Sequence, residues 1–186
     1  LKELKLDENT VVIFFSDNGG DTGGGVGTNQ PLRGGKGTLY EGGIRVPLLV
    51  RCPGAAQQGT RCNTPVLGSD LYPTILDLAN VTLSPDHVVD GKSLVPLFQG
   101  GDTLNRAIYW HFPVYLGRTT PSAAIREGDY KLIESFEDGR LSLQILDPFR
   151  GCTHTTHHRF RSEKPLLLPE LCRLSQFRSQ RQFCPG

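Results

Sequence analysis

The stretch Val11-Val12-Ile13-Phe14-Phe15-Ser16-Asp17-Asn18-Gly19-Gly20 decides the fold. Its first five residues form a continuous β-branched and aromatic run, with Asn9 upstream and a turn cluster downstream. Such a run predicts a strand buried on both faces, as in a parallel sheet covered by helices. In open α/β sheets, ligands bind at the carboxyl ends of strands. Asp17 and Asn18 fall at that end and offer a carboxylate and an amide oxygen, hard donors suited to Ca²⁺ or Mg²⁺. The same Asp-Asn-Gly-Gly also serves as ordinary turn chemistry.

Downstream, eleven of the 22 glycines lie between Gly19 and Gly43. Each glycine weakens a helix or strand interior by roughly 0.5–1 kcal/mol relative to alanine, so neither element is expected there. A loop of this kind between two apolar runs reads as functional rather than as a linker. Arg33, Lys36 and Arg45 bring three cations into it, an arrangement suited to sulfate or phosphate. Lys36 stands between Gly35 and Gly37, whose small size leaves its ammonium room; alone, a lysine is more often a solvated surface charge. The GxxxxGK[ST] spacing of a phosphate-cradling Walker loop is absent.

Ile44 to Val50 is a second apolar run, and Pro47 within it implies an edge, a strand start or a bulge. Ser69 to Ala79 reads as a helix capped by Ser69 or Asp70, with Leu71, Ile75 and Leu78 on one face and Pro73 in the first turn. Beyond Asn80 the texture changes. Ala107–Phe112, Ser122–Arg126, Tyr130–Phe136 and Leu141–Leu146 are short strand candidates, the last two joined by a turn carrying Asp138-Gly139. They predict a small antiparallel sheet after an α/β portion. His111, between Trp110 and Phe112, reads as a packed histidine before it reads as a catalyst. Asn80-Val81-Thr82 fits a glycosylation sequon, of use only to a secreted eukaryotic chain.

The whole chain narrows the classes further. Its 186 residues suffice for a domain with its own core. With 20 Lys and Arg against 19 Asp and Glu, it lacks the basic excess of a nucleic-acid binder. No run approaches the roughly 18–20 apolar residues of a membrane span. Five cysteines without CxxC spacing form neither an even disulfide framework nor a zinc ribbon. Residues 151–186 carry 6 basic and 2 acidic side chains, three of the five His and no Ala, Val or Asp, which marks a compositional boundary.

Taken together, these residues resemble the sulfatase family, arylsulfatase-like, in its C-terminal portion. The match runs through Ser16-Asp17-Asn18-Gly19-Gly20 and Pro31-Leu32-Arg33-Gly34-Gly35-Lys36-Gly37-Thr38-Leu39-Tyr40-Glu41-Gly42-Gly43-Ile44-Arg45-Val46-Pro47. Ser69-Asp70-Leu71-Tyr72-Pro73-Thr74-Ile75-Leu76 and Ala124-Ile125-Arg126-Glu127-Gly128-Asp129-Tyr130-Lys131-Leu132-Ile133 extend it. It covers roughly residues 1–148. The resemblance implies an α/β, alkaline-phosphatase-like core over residues 1–100, a small antiparallel subdomain over 101–148 and an atypical tail over 149–186. It implies that Asp17 and Asn18 complete a calcium shell and that Lys36 holds the sulfate. It also implies a formylglycine nucleophile made within C/S-x-P-S-R, a His that protonates the leaving alcohol, and a parent that is periplasmic, secreted or lysosomal.

No C/S-x-P-S-R run is present: Cys52-Pro53-Gly54, Cys62-Asn63-Thr64-Pro65 and Thr120-Pro121-Ser122 all fail it. The chain starts at Leu1 and has no Met. It is therefore expected to be a fragment, to bind calcium weakly and to leave aryl sulfates intact. The expected partner is a sulfated small molecule or carbohydrate. A related phosphate-ester hydrolase and a non-catalytic carbohydrate-binding remnant are the alternatives. After Leu146-Asp147-Pro148 the tail departs from the family pattern, which suggests a frameshift or disorder. A genuine divergent tail with a short helix from Glu170, or a metal site from Cys152, His154, His157 and His158, are the other readings of it.

Overall fold

The computed structural model describes residues 1–23, 27–101, 104–116, 119–147 and 151–159, with side chains in the last segment described only at 155. The chain divides into two compact units, Leu1–Lys36 with Tyr40–Arg106, and Gly37–Leu39 with Ala107–Gly186.

In the first unit, strand β1 (Val12–Phe15) pairs antiparallel with β2 (Leu48–Arg51), matching Ile13 to Val50 and Phe14 to Leu49. β2 begins directly after Pro47, so the proline marks the strand start, where its missing N–H removes no ladder bond. The expectation of a doubly buried parallel strand is corrected here. β1 is antiparallel, and Val12, Phe14 and Phe15 are 41%, 62% and 42% exposed. A two-stranded sheet pairs one edge and leaves its faces to be covered by other elements.

Between these strands lies α1 (Glu41–Ile44), one helical turn that contains Gly42 and Gly43. The expectation that the glycine-rich stretch excludes a helix fails at this turn. A Cβ on Gly42 would stand 2.3 Å from the Gly34 carbonyl oxygen, so the turn packs where only glycine fits.

Helix α2 (Leu71–Leu78) follows a 3-10 turn, Gly68–Asp70. No side chain caps α2; the Asp70 carboxylate turns back to accept the Leu67 N–H at 2.7 Å. Thr74 is the fully buried residue of the helix, whereas Ile75 is 52% exposed. The polar hydroxyl is accommodated because it donates to the Asp70 carbonyl (2.5 Å) and accepts from Leu94 N–H (2.9 Å). A short turn α3 (Val95–Phe98) completes the unit, with Leu94 buried just before it.

The second unit is an antiparallel sheet in the order β3 (Ile108–Phe112), β4 (Ser122–Glu127), β5 (Tyr130–Ser135), β6 (Arg140–Asp147), β7 (Gly151–Arg159). Its first four strands are those read from the sequence, to within a residue or two. Asp138-Gly139 makes the β5–β6 turn, with Gly139 at φ 62° and the Asp138 carboxylate accepting from Arg140 N–H at 3.1 Å. Ile108, Ala123, Ala124 and Leu146 form its buried apolar positions. β7 draws Gly151–Arg159 into the sheet, with a register shift at Ile145/Leu146. The helix proposed from Glu170 lies outside the described residues, as do the side chains of Cys152, His154, His157 and His158. Among the described residues, no helix is long and apolar enough to cross a membrane.

Candidate functional site

β1 delivers its carboxyl end to Asp17 and Asn18, as the sequence predicts. The Ser16 hydroxyl donates to the Asn18 carbonyl at 2.9 Å, which closes the turn locally. Asp17 is exposed and Asn18 half-buried, while Gly19 is buried. Gly19 N–H donates to the Gly43 carbonyl at 2.9 Å. A Cβ on Gly19 would fall 1.8 Å from the Gly42 carbonyl oxygen. The strand end is thus pressed against the α1 turn, backbone on backbone.

The lysine loop is joined to the same strand end. Lys36 N–H donates to the Gly20 carbonyl at 3.1 Å, and Gly42 N–H donates to the Arg33 carbonyl at 2.8 Å. The Asp17-Asn18 pair and Lys36, which lie on separate stretches of sequence, are therefore carried on hydrogen-bonded segments. The Lys36 side chain is exposed. Of the other two cations, Arg33 lays its guanidinium 3.9 Å from the centroid of the Tyr40 ring, a cation–π stack. Arg45 is exposed at the end of α1, where its N–H closes the turn on the Glu41 carbonyl at 2.8 Å. His111 is exposed on β3, its ring tilted against Phe136 at 5.6 Å. That is packing within the second unit.

The sequence gives no sign of the role of Asn29 and only part of that of Asp70. Asn29 donates from Nδ2 to the Gly20 carbonyl (2.9 Å) and the Gly34 carbonyl (3.1 Å). Asp70, read from the sequence only as a cap, is fully buried. It accepts from Leu67 N–H, from Lys92 N–H at 2.9 Å, and from both terminal nitrogens of Arg106. Burial raises the Asp70 pKa, but the Arg106 hydrogen bonds, the two backbone donors and the Arg106 charge outweigh it and hold the carboxyl below its usual range.

Asp17 and Asn18 suit calcium in kind, since both bring oxygen. A calcium ion takes 6–8 oxygen ligands, so two such donors could supply only part of a shell. Among the described residues there is no group of three or more His, Cys, Asp or Glu that would hold a metal by itself.

The fold is like that of part of the alkaline-phosphatase-like sulfatases, and the sequence is similar to the sulfatase family. The family model named Sulfatase matches residues 1–81. A sulfatase of Formosa agariphila is 40% identical over 161 residues, which cover 80% of this chain and 29% of that protein. The solved structure of Ps i-CgsB in complex with k-i-k-neocarrahexaose is 33% identical with a TM-score of 0.66, covering 77% of this chain and 31% of that one. A further solved structure holds its substrate D-glucosamine-2-N,6-O-disulfate. It is 25% identical with a TM-score of 0.62, covering 78% of this chain and 29% of that one. The chain thus spans less than a third of the length of these relatives.

Proposed function

We propose that this chain supplies the sulfate-binding lysine and part of the calcium shell of an enzyme that hydrolyses sulfate esters. The observation that carries the reading is the 3.1 Å bond from Lys36 N–H to the Gly20 carbonyl. It couples the lysine loop to the strand end bearing Asp17 and Asn18. Cleavage of a sulfate ester builds negative charge on the sulfuryl oxygens and on the leaving oxygen, and fixed cations stabilise that charge. Lys36 would meet the sulfuryl oxygens with a compact ammonium on a flexible stem. Asp17 and Asn18 would give two oxygen ligands to calcium, which when bound contributes positive charge at the same group. The substrate class is a sulfated carbohydrate or an aryl sulfate; a structural relative with D-glucosamine-2-N,6-O-disulfate as its substrate supports the former.

The sequence contains no C/S-x-P-S-R run from which a formylglycine could form. The chain by itself is therefore expected to bind without turning over. Titration with inorganic sulfate, followed through the backbone amide resonances of Gly35 and Gly37, tests the binding. Lys36→Ala is expected to weaken sulfate affinity by about tenfold, in line with a charge-assisted contact. Asp17→Ala is expected to weaken calcium binding and to spare the fold. Equal sulfate affinity in wild type and Lys36→Ala would sink the reading, and hydrolysis of an aryl sulfate by the isolated chain would overturn the expected inactivity.

A further inference from the structure

The glycine loop holds one polar side chain that bridges the two segments of the site. The Asn29 amide nitrogen has two hydrogens, and both are used: one on the Gly20 carbonyl at 2.9 Å and one on the Gly34 carbonyl at 3.1 Å. Gly20 lies two residues beyond Asn18, and Gly34 lies two residues before Lys36. The Gly20 oxygen also accepts from Lys36 N–H, so its two lone pairs serve the amide and the lysine loop together. Asn29 is itself fixed, since its carbonyl accepts from Leu32 N–H at 2.8 Å and the following N–H, of Gln30, donates to the Thr28 hydroxyl at 3.1 Å.

The surrounding glycines fit this arrangement. A Cβ on Gly20 would stand 2.7 Å from Asn29 Oδ1. A Cβ on Gly35 would stand 2.6 Å from the Gly20 oxygen and 2.9 Å from Asn29 Nδ2. Both lie below the separation that carbon atoms tolerate, so the absence of side chains at these positions is what lets one amide reach both strands of the loop.

We infer that Asn29 is a positioning residue for sulfate binding: its amide clamps the Lys36 loop to the strand end that carries Asp17 and Asn18. The inference rests on the reading of Lys36 as the sulfate ligand. Asn29 does not touch the anion; it acts by setting where the Lys36 stem departs. A flexible lysine has little directional preference of its own, so its aim depends on how its backbone is held.

The test uses the full chain and two variants, Asn29→Ala, which removes the amide, and Asn29→Asp, which keeps its shape but offers no donor to either carbonyl. Amide hydrogen exchange reads the clamp without any ligand. Loss of two hydrogen bonds of ordinary strength predicts exchange at Lys36 N–H faster by about tenfold or more in both variants. The amides of β4, β5 and β6 should keep wild-type protection, which shows that the chain has folded. Titration with inorganic sulfate then reads the consequence. Affinity should fall about three- to fivefold in both variants, less than in Lys36→Ala. Unchanged exchange at Lys36 overturns the clamp. Faster exchange with unchanged sulfate affinity overturns its positioning role. If wild-type affinity for sulfate does not depend on Lys36, it is the functional reading that fails, and the exchange measurement still decides whether Asn29 joins the two segments.

Discussion

The glycines of the lysine loop and those of the antiparallel sheet do opposite jobs. In the first unit Gly19, Gly20, Gly35 and Gly42 are needed because other atoms already occupy the place of a side chain. In the sheet of the second unit, Gly128 and Gly139 face open space, and what they supply is a positive φ, 56° and 62°. The first pattern belongs to a loop assembled by close backbone approach, the second to hairpin turns between strands that pair on their own. A loop of the first kind owes its shape to a few polar contacts at fixed points. A sheet of the second kind spreads its cohesion along the ladder. Substitutions should therefore have concentrated effects in the first unit and diluted ones in the second.

The largest effect is expected at Asp70. Its carboxylate is fully buried and gathers Leu67 N–H, Lys92 N–H and the Arg106 guanidinium, whose side chain is only 11% exposed. Asp70→Asn removes the negative charge and leaves a mostly buried cation. The cost should be about 3 kcal/mol, as for other buried pairs broken on one side. Urea unfolding followed by exchange at the Leu67 and Lys92 amides would measure it; a change under 1 kcal/mol would mean that Arg106 finds water readily. The wild type has a matching pH signature. Because the folded pKa is lowered, the stabilisation is fully present above the ordinary aspartate pKa of about 3.9 and is lost as pH falls through the folded value. Asp70→Asn should flatten that acid limb.

Next comes Gly19→Ala. The added carbon would lie 1.8 Å from the Gly42 oxygen and 2.8 Å from Gly43 Cα, both backbone atoms that no rotamer change can move. The strand end and the α1 turn must separate, and the 2.9 Å bond from Gly19 N–H to Gly43 breaks with them. A cost of about 2 kcal/mol is expected, within the range for overpacked sites. Sulfate affinity should fall with it. A variant of wild-type stability would show that the two segments have slack that the backbone contacts do not suggest.

Chemistry written on one strand was easier to read than chemistry made by two segments meeting. Strands β3 to β6 were legible because alternation and the Asp138-Gly139 turn are local signals. Asp17, Asn18 and Lys36 stand out as candidates through their motifs, whereas the hydrogen bond that joins their segments leaves no trace in the sequence. Asn29 was invisible, because nothing in the sequence states which carbonyls an amide will meet. Asp70 suggested a cap, and its ties to Lys92 and Arg106 come from residues 22 and 36 positions away. The apolar run of β1 predicts burial on both faces, since composition tells what a strand can bury. What covers Phe14 and Leu49, at 62% and 59% exposed, depends on neighbours that composition does not name.

The smallest effect, and the sharpest check on the contrast between the units, is Gly139→Ala. Nothing lies within 4 Å of the added carbon, so no contact opposes it. The remaining cost is conformational, the strain of an L-residue at φ 62°, about 1 kcal/mol. Gly139→Asn should recover part of it, since asparagine tolerates the left-handed region better than alanine. Neither variant should alter sulfate affinity or exchange at Lys36. If Gly139→Ala costs as much as Gly19→Ala, the sheet is as brittle as the loop. Thermal unfolding of the two alanine variants side by side would decide it: a close-approach glycine should lose more than a turn glycine, and only the former should take the site with it.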